Sequence, residues 1–339
     1  MGTQPGALAL TLGGVILLAA CSSAAGQANL SPSAAPSSPL AGCSLPYLKP
    51  VPGAAPYTGA FVSGTGGTWT ADPSGQINQS GDLLVTAAKP TLTGSGFGSG
   101  DSGSYDAAVK RWLPVGRAHV RADGLAYAYA EPFKASASDA LNTATRIHVV
   151  SLPEGADRVI YSGSPRTVLA YQPEGIYTAA VTYYSDRTPS DVERIDPSTG
   201  ARSQMPNGVV FVVIDRGVEW TDGFRIMPTR LDRIEASTGT SQNWVETQGE
   251  GWIWFVGLDS NGHPLVDVSQ GTTSDWKLFV YTAPQTRTAI ADLKVHQLGI
   301  SDSHGTWLAA DDGIYLLGPD LKLVKVSDVT GGNVSGPCI

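Results

Sequence analysis

The chain has 339 residues, with 22 Lys or Arg against 30 Asp or Glu, a formal net charge of −8. Nucleic-acid surfaces need clustered basic side chains, so this balance argues against one. Only 15% of residues are charged, glycine (40) and proline (23) are plentiful, and no amphipathic stretch of three helical turns follows residue 115. Together with short runs of Thr, Val, Tyr and Trp, this composition predicts an all-β protein rich in turns.

The chain opens on an uncharged run of 14 residues from Ala7 to Ala20. A membrane-spanning helix takes about 20 residues, so the run has instead the length of a signal-peptide apolar core. Leu18-Ala19-Ala20-Cys21 resembles the bacterial lipobox. That resemblance implies cleavage before Cys21 and attachment of lipid to its thiol, with each buried methylene of an acyl chain contributing about 0.8 kcal/mol to anchoring. Residues 1–20 hold no Lys or Arg, so the positive segment usual in such signals rests on the amino terminus alone. Ser22 to Leu40 is Ser, Ala, Pro and Gly with little to bury, and reads as a flexible tether. The expected organisation is a signal peptide over 1–20, a lipidated N-terminus and linker over 21–42, and a folded domain over 43–339. The domain would be exported and held on the extracytoplasmic side of a bacterial membrane.

With Cys21 assigned to lipid, Cys43 and Cys338 remain. An exported compartment favours disulfides, and these two residues flank nearly the whole folded region. A bond between them would staple its ends, for roughly 5 kcal/mol in the chain-entropy model.

Within the folded region one shape recurs: a polar turn ending in Gly, an apolar strand, a polar link, a second strand, and a turn rich in Pro, Thr and Gly. Clear examples are "RADGLAYAYAEP" (Arg121 to Pro132), "QPEGIYTAAVTYYS" (Gln172 to Ser185) and "ADDGIYLLGPDLKLVKVSD" (Ala310 to Asp328). Gly81, Gly124, Gly175, Gly217, Gly262 and Gly313 mark the series, with spacings of 43, 51, 42, 45 and 51 residues. A 40–50-residue repeat of four short strands is the signature of a β-propeller blade. Six four-stranded blades fit between Cys43 and Cys338, with seven as the alternative. In "GWIWFVG" (Gly251 to Gly257), Trp252, Trp254 and Val256 point one way and Ile253 and Phe255 the other. Both faces are apolar, as expected of a strand covered by neighbouring blades.

Over about residues 110–328 the repeats resemble the TolB-type and WD40-like propeller families. The resemblance rests on Asp123-Gly124-Leu125-Ala126-Tyr127, on Ile147 to Leu152, and on the closing turn Asp196-Pro197-Ser198-Thr199-Gly200. It implies a propeller; an assembly role in an envelope complex would follow from fold analogy alone.

No local motif carries chemistry. Gly100-Asp101-Ser102-Gly103 is similar to a trypsin-type nucleophile motif, but Ser104 stands where a second Gly belongs, and the surroundings read as a flexible loop. Ser274 to Lys277 matches S-x-x-K, yet it enters a strand, where Ser and Lys share no helical face. The five histidines, His119, His148, His263, His296 and His304, have no metal-ligand spacing. Leu258 to Pro264 lacks the alternating acids of a calcium loop and reads as a hairpin turn at Asn261-Gly262. Asp311 and Asp312 are adjacent in a turn, so their side chains diverge. Trp112 and Trp307 read as core strand positions. No catalytic residue, metal or cofactor is assigned, and the chain is expected to be a monomer. Two functions remain in view. One is a lipid-anchored, non-catalytic module binding a protein, peptide or glycan at the cell envelope. The other is a propeller hydrolase, lyase or lactonase with a site assembled from several blades.

Overall fold

The computed structural model of the protein describes residues 38–50, 57–77, 83–84, 103–134, 143–152, 154–180, 191–206, 213–222, 228–247, 251–269, 275–296 and 298–339. Apart from the 3-10 turn Arg117–His119, the regular elements among them are β-strands. They form a six-bladed β-propeller. Blade 3 is the four-stranded antiparallel sheet Arg166–Gln172, Gly175–Ala180, Val192–Ile195 and Arg202–Gln204. Blade 4 runs Val213–Asp215, Val218–Thr221, Arg230–Glu235 and Ser241–Glu246. Blade 5 runs Ile253–Leu258, Pro264–Ser269, Trp276–Ala283 and Thr286–Ala291. Blade 6 runs Ile300–Asp302, Gly305–Ala310, Gly313–Leu317 and Leu323–Ser327. Blade 2 has Ala126–Lys134, Thr143–Ser151 and Asp157–Gly163, and its first-strand position is taken by Val120, which bridges to Tyr127.

Blade 1 joins the two ends of the domain. Asn333–Val334 pairs with Ser44–Pro50, followed by Tyr57–Ser63, Thr68–Ile77 and Leu83–Leu84. Ser44 and Ile339 exchange backbone hydrogen bonds of 2.9 and 3.1 Å, and Ser335 N–H donates to Pro46 at 2.9 Å. A disulfide joins Cys43 to Cys338, with a Cα separation of 5.6 Å across 295 residues of sequence. Asp302 of blade 6 fixes the adjoining backbone by accepting the Cys338 N–H at 2.8 Å and the Trp307 indole N–H at 2.7 Å.

Burial explains why the strands are apolar on both faces. The second strands of blades 5 and 6 are buried throughout, whereas the fourth strands Arg202–Gln204 and Thr286–Ala291 are mostly exposed. Each pair of neighbouring blades shares one apolar cluster among the described residues. Tyr127 and Val150 meet Leu48 between blades 2 and 1. Ile147 meets Val168 between blades 2 and 3, and Tyr177 meets Ile214 between blades 3 and 4. Trp220 meets Phe255 between blades 4 and 5, Val256 meets Leu308 between blades 5 and 6, and Trp307 meets Tyr47 between blades 6 and 1. Six clusters in cyclic order close the ring of blades, leaving only the short outer strands as sheet edges.

A hairpin, Ser104–Asp106 with Arg111–Leu113, wedges between blades 1 and 2. Its Trp112 is 1% exposed and donates its indole N–H to Asp72 at 2.9 Å. The ring lies where side chains would otherwise stand: a Cβ at Gly59 would come within 2.5 Å of Trp112, and one at Gly75 within 2.8 Å. Glycine at both positions is what admits the indole.

The turn glycines fall largely as the spacing predicts. Gly124, Gly175, Gly217 and Gly262 all have positive φ and mark the turn from the first to the second strand of blades 2 to 5, Gly175 as the opening residue of the second strand. Gly313 does not belong to that set, because it opens the third strand of blade 6; the equivalent turn there ends at Gly305, with φ of +136°. Gly81 lies outside the described residues.

Candidate ligand-binding cavity

One cavity, about 440 Å³ in volume, opens at the end of blade 5 where its first strand starts, its second ends and its third starts. Trp252, Trp254 and Trp276 line it, together with Asp267, Lys294 and His296. Asp222 and Pro228 of blade 4 reach its other side. The volume lies within the usual range of small-molecule sites.

Strand register sets the arrangement. Trp254 pairs directly with Asp267, and Asp267 with Leu278, so these side chains share the face turned toward blade 6. Deeper along that face Val256, Leu265 and Leu278 pack against Leu308 and Leu317. Toward the strand end Val295, which bridges to Ala310 of blade 6, lies over Asp267, while Trp254 is left 50% exposed. Trp252 and Trp276 stand edge to face, with ring centroids 6.2 Å apart. Lys294 places its Nζ 5.7 Å from the Trp276 ring centroid, a cation–π contact. His296 Nε2 pairs with Asp311 at 2.8 Å on the rim.

Asp267 is the polar floor. It has no solvent exposure. Its Oδ2 accepts the backbone N–H of Val295 at 2.7 Å. Its Oδ1 is buried without a hydrogen-bond partner. Burial pushes the carboxyl pKa up to about 7, against the opposing pull of the Val295 amide and the Lys294 charge. Near neutral pH the group is therefore divided between its protonated and ionised forms, and can donate or accept a hydrogen bond.

Two other polar clusters, around Arg166 and His148, are internally satisfied. Arg166 is buried in blade 3, where it donates to Thr178, to the Asp191 side chain and to the Asp191 carbonyl, and approaches Glu193 at 3.4 Å. His148 stacks on Tyr129 with centroids 4.5 Å apart and sets its ring nitrogens 2.8 Å from Asp157 and 3.2 Å from Glu131. These groups brace blades and leave no unmet polar atom facing a cavity.

Of the residues singled out in the sequence, Cys43 and Cys338 come together, while Cys21 lies outside the described residues. Gly100 to Ser102 and Ser274 also lie outside them; Ser104 opens a buried strand, and Trp276 and Lys277 stand in the expected strand. Asn261-Gly262 forms the expected hairpin turn, organised by Asp259 accepting the N–H groups of Asn261 and His263 at 2.8 Å. Asp311 and Asp312 diverge, the first to His296 and the second to Tyr315 and Lys325. Among the described residues no three His, Cys, Asp or Glu side chains are grouped as metal ligands. Trp112 and Trp307 are core residues. Trp254 and Asp267 escaped the sequence reading: "WIWFV" shows apolarity on both faces, and "LVDVS" shows an acid in a buried strand, but neither reveals the cavity that forms at this strand end.

No protein-family model and no curated protein matches the chain. Among solved structures it is similar to TolB from Acinetobacter baumannii, with 12% identity over 87% of this chain and 67% of that one, at a TM-score of 0.43. It is also similar to the acylaminoacyl peptidase of Pyrococcus horikoshii, with 10% identity over 84% of this chain and 46% of that one, at a TM-score of 0.43. An oligogalacturonate lyase in complex with manganese matches with 9% identity over 80% and 71% of the two chains, at a TM-score of 0.31. At these identities and scores none of them bears on activity or ligand.

Proposed function

We propose that the protein is a lipid-anchored, extracytoplasmic propeller that works as a binding module, taking its ligand in the cavity of blade 5. The single observation behind this reading is a half-exposed tryptophan, Trp254, standing beside a fully buried carboxylate oxygen that has no partner, in a cavity walled by two further indoles. Exposed indole costs free energy in water, and so does a buried unpaired acceptor; a ligand that covers one and satisfies the other relieves both. The Leu18 to Cys21 pattern supports export and anchoring, and a disulfide between the ends of the domain suits an oxidising compartment.

Two measurements test the reading. Thermal melts of the mature protein against a library of peptides, glycans, amino acids and amines are expected to yield a ligand that raises the melting temperature of the native protein but not of Trp254→Ala. That ligand should be recovered with its mass unchanged. A library with no Trp254-dependent stabiliser would overturn the site, and a product of altered mass would make the protein an enzyme. In cells, Cys21→Ala should move the protein from the membrane fraction to the soluble fraction; retention would remove the anchor.

A further inference from the structure

The chemistry lining the cavity narrows what it takes. The exposed Trp254 indole, beside Trp252 and Trp276, calls for a flat apolar surface, either a cation over the ring or the C–H face of a sugar. A cation is disfavoured because Lys294 already sits over Trp276 and close enough to Asp267 to act on its charge. An anion is disfavoured because Asp222 and Asp267 both line the same space. Neither sign of net charge can enter without facing a like charge. A neutral ligand meets no such repulsion, and the polar groups present then act as hydrogen-bond partners.

Those partners suit hydroxyl groups. Asp267 lines the cavity, and its Oδ1 is buried and unpartnered. Lys294 and His296 stand on the rim. A pyranose carries hydroxyls around its edge and axial C–H groups on its face, so one ring can lie on Trp254 while an edge hydroxyl reaches Asp267. A peptide would instead bring backbone amides that need an open strand edge or paired donors and acceptors, and the cavity is walled by side chains.

We infer that the cavity binds a neutral hexopyranose unit of a glycan, with Trp254 as the stacking platform and Asp267 as the partner of one hydroxyl. This inference rests on the binding-module reading above. Its test is calorimetric titration of the mature, disulfide-bonded protein with neutral trisaccharides of glucose, mannose and N-acetylglucosamine. Trigalacturonate, glucosamine trimer and choline serve as anionic and cationic counterparts. At least one neutral trisaccharide is expected to bind at millimolar Kd or tighter, with every charged probe weaker by about tenfold or more. Trp254→Ala should weaken binding about tenfold or more, and Asp267→Ala should weaken it further than Asp267→Asn, which keeps a hydrogen-bonding group in place. Near-UV circular dichroism would establish that each variant is folded; should Asp267→Ala fail to fold, Trp254→Ala, at an exposed position, carries the test. Absence of neutral-sugar binding, or binding indifferent to Trp254, would overturn the inference. Trp254-dependent binding of choline, trigalacturonate or a peptide with no neutral sugar would overturn the sugar and leave the binding module standing, whereas no Trp254-dependent ligand of any class would overturn both.

Discussion

Replacing Cys43 and Cys338 together by serine is expected to lower the stability of the ring by several kcal/mol while leaving its fold intact. Cross-linking across 295 residues removes roughly 5 kcal/mol of chain entropy from the unfolded state in the loop-closure model. The propeller needs that restraint because its first and last segments share one sheet through only two residue pairs, Tyr47 with Val334 and Leu48 with Asn333. Around those pairs the Ser44–Ile339 and Ser335–Pro46 backbone bonds and the buried Trp307–Tyr47 cluster persist without the disulfide, so closure weakens without being abolished. Denaturant unfolding of the oxidised native protein and the double serine variant measures the difference. A clear fall in midpoint is expected, and equal midpoints would show that blade 1 closes the ring without help from the bond.

Asp267→Asn is expected to stabilise the protein at pH 8 and to change it little at pH 4. The native carboxyl holds its proton up to about pH 7, whereas the unfolded chain releases it near the ordinary value of 3.8. Between those values the folded state binds more protons than the unfolded state, so native stability falls as pH rises and the penalty is complete above pH 7. The span corresponds to an upper figure of roughly 4 kcal/mol. Asparagine stays neutral throughout, keeps an oxygen for the Val295 N–H, and so escapes the penalty. Thermal melts of both proteins at pH 4, 6 and 8 should diverge progressively; a difference independent of pH would show that Asp267 is ionised or paired throughout.

Much of the fold is legible in the sequence because blades repeat and their turns need glycine at positive φ. Gly124, Gly175, Gly217 and Gly262 mark four blades directly. Blade 6 misleads by one strand, since "ADDGIYLL" carries a glycine turn like the others while its own first strand is only the three residues Ile300–Asp302. The marker proposed for blade 1, Gly81, lies outside the described residues, and the first strand of that blade comes from the far end of the chain. The hairpin carrying Trp112 falls outside the period altogether, and its place depends on Gly59 and Gly75, more than thirty residues away in sequence. The pairing of Cys43 with Cys338 follows from their positions at the two ends of the repeats. The cavity is less legible. Trp252 and Trp254 carry the same apolar pattern as Phe255 and Val256, and what separates a packing residue from one lining the cavity is the cover given by segments distant in sequence. That is a tertiary quantity with no counterpart in local spacing.

The assignment of the blade 5 cavity to a neutral sugar is tested most directly by the indole N–H resonances of protein labelled with ¹⁵N-tryptophan, assigned by single substitution and followed as a neutral trisaccharide is added. The chain has eight tryptophans, and those at 112 and 307 are buried in other clusters. Shifts confined to Trp252, Trp254 and Trp276 are expected. Shifts at other tryptophans with these three unmoved, or no shift in any, would contradict it.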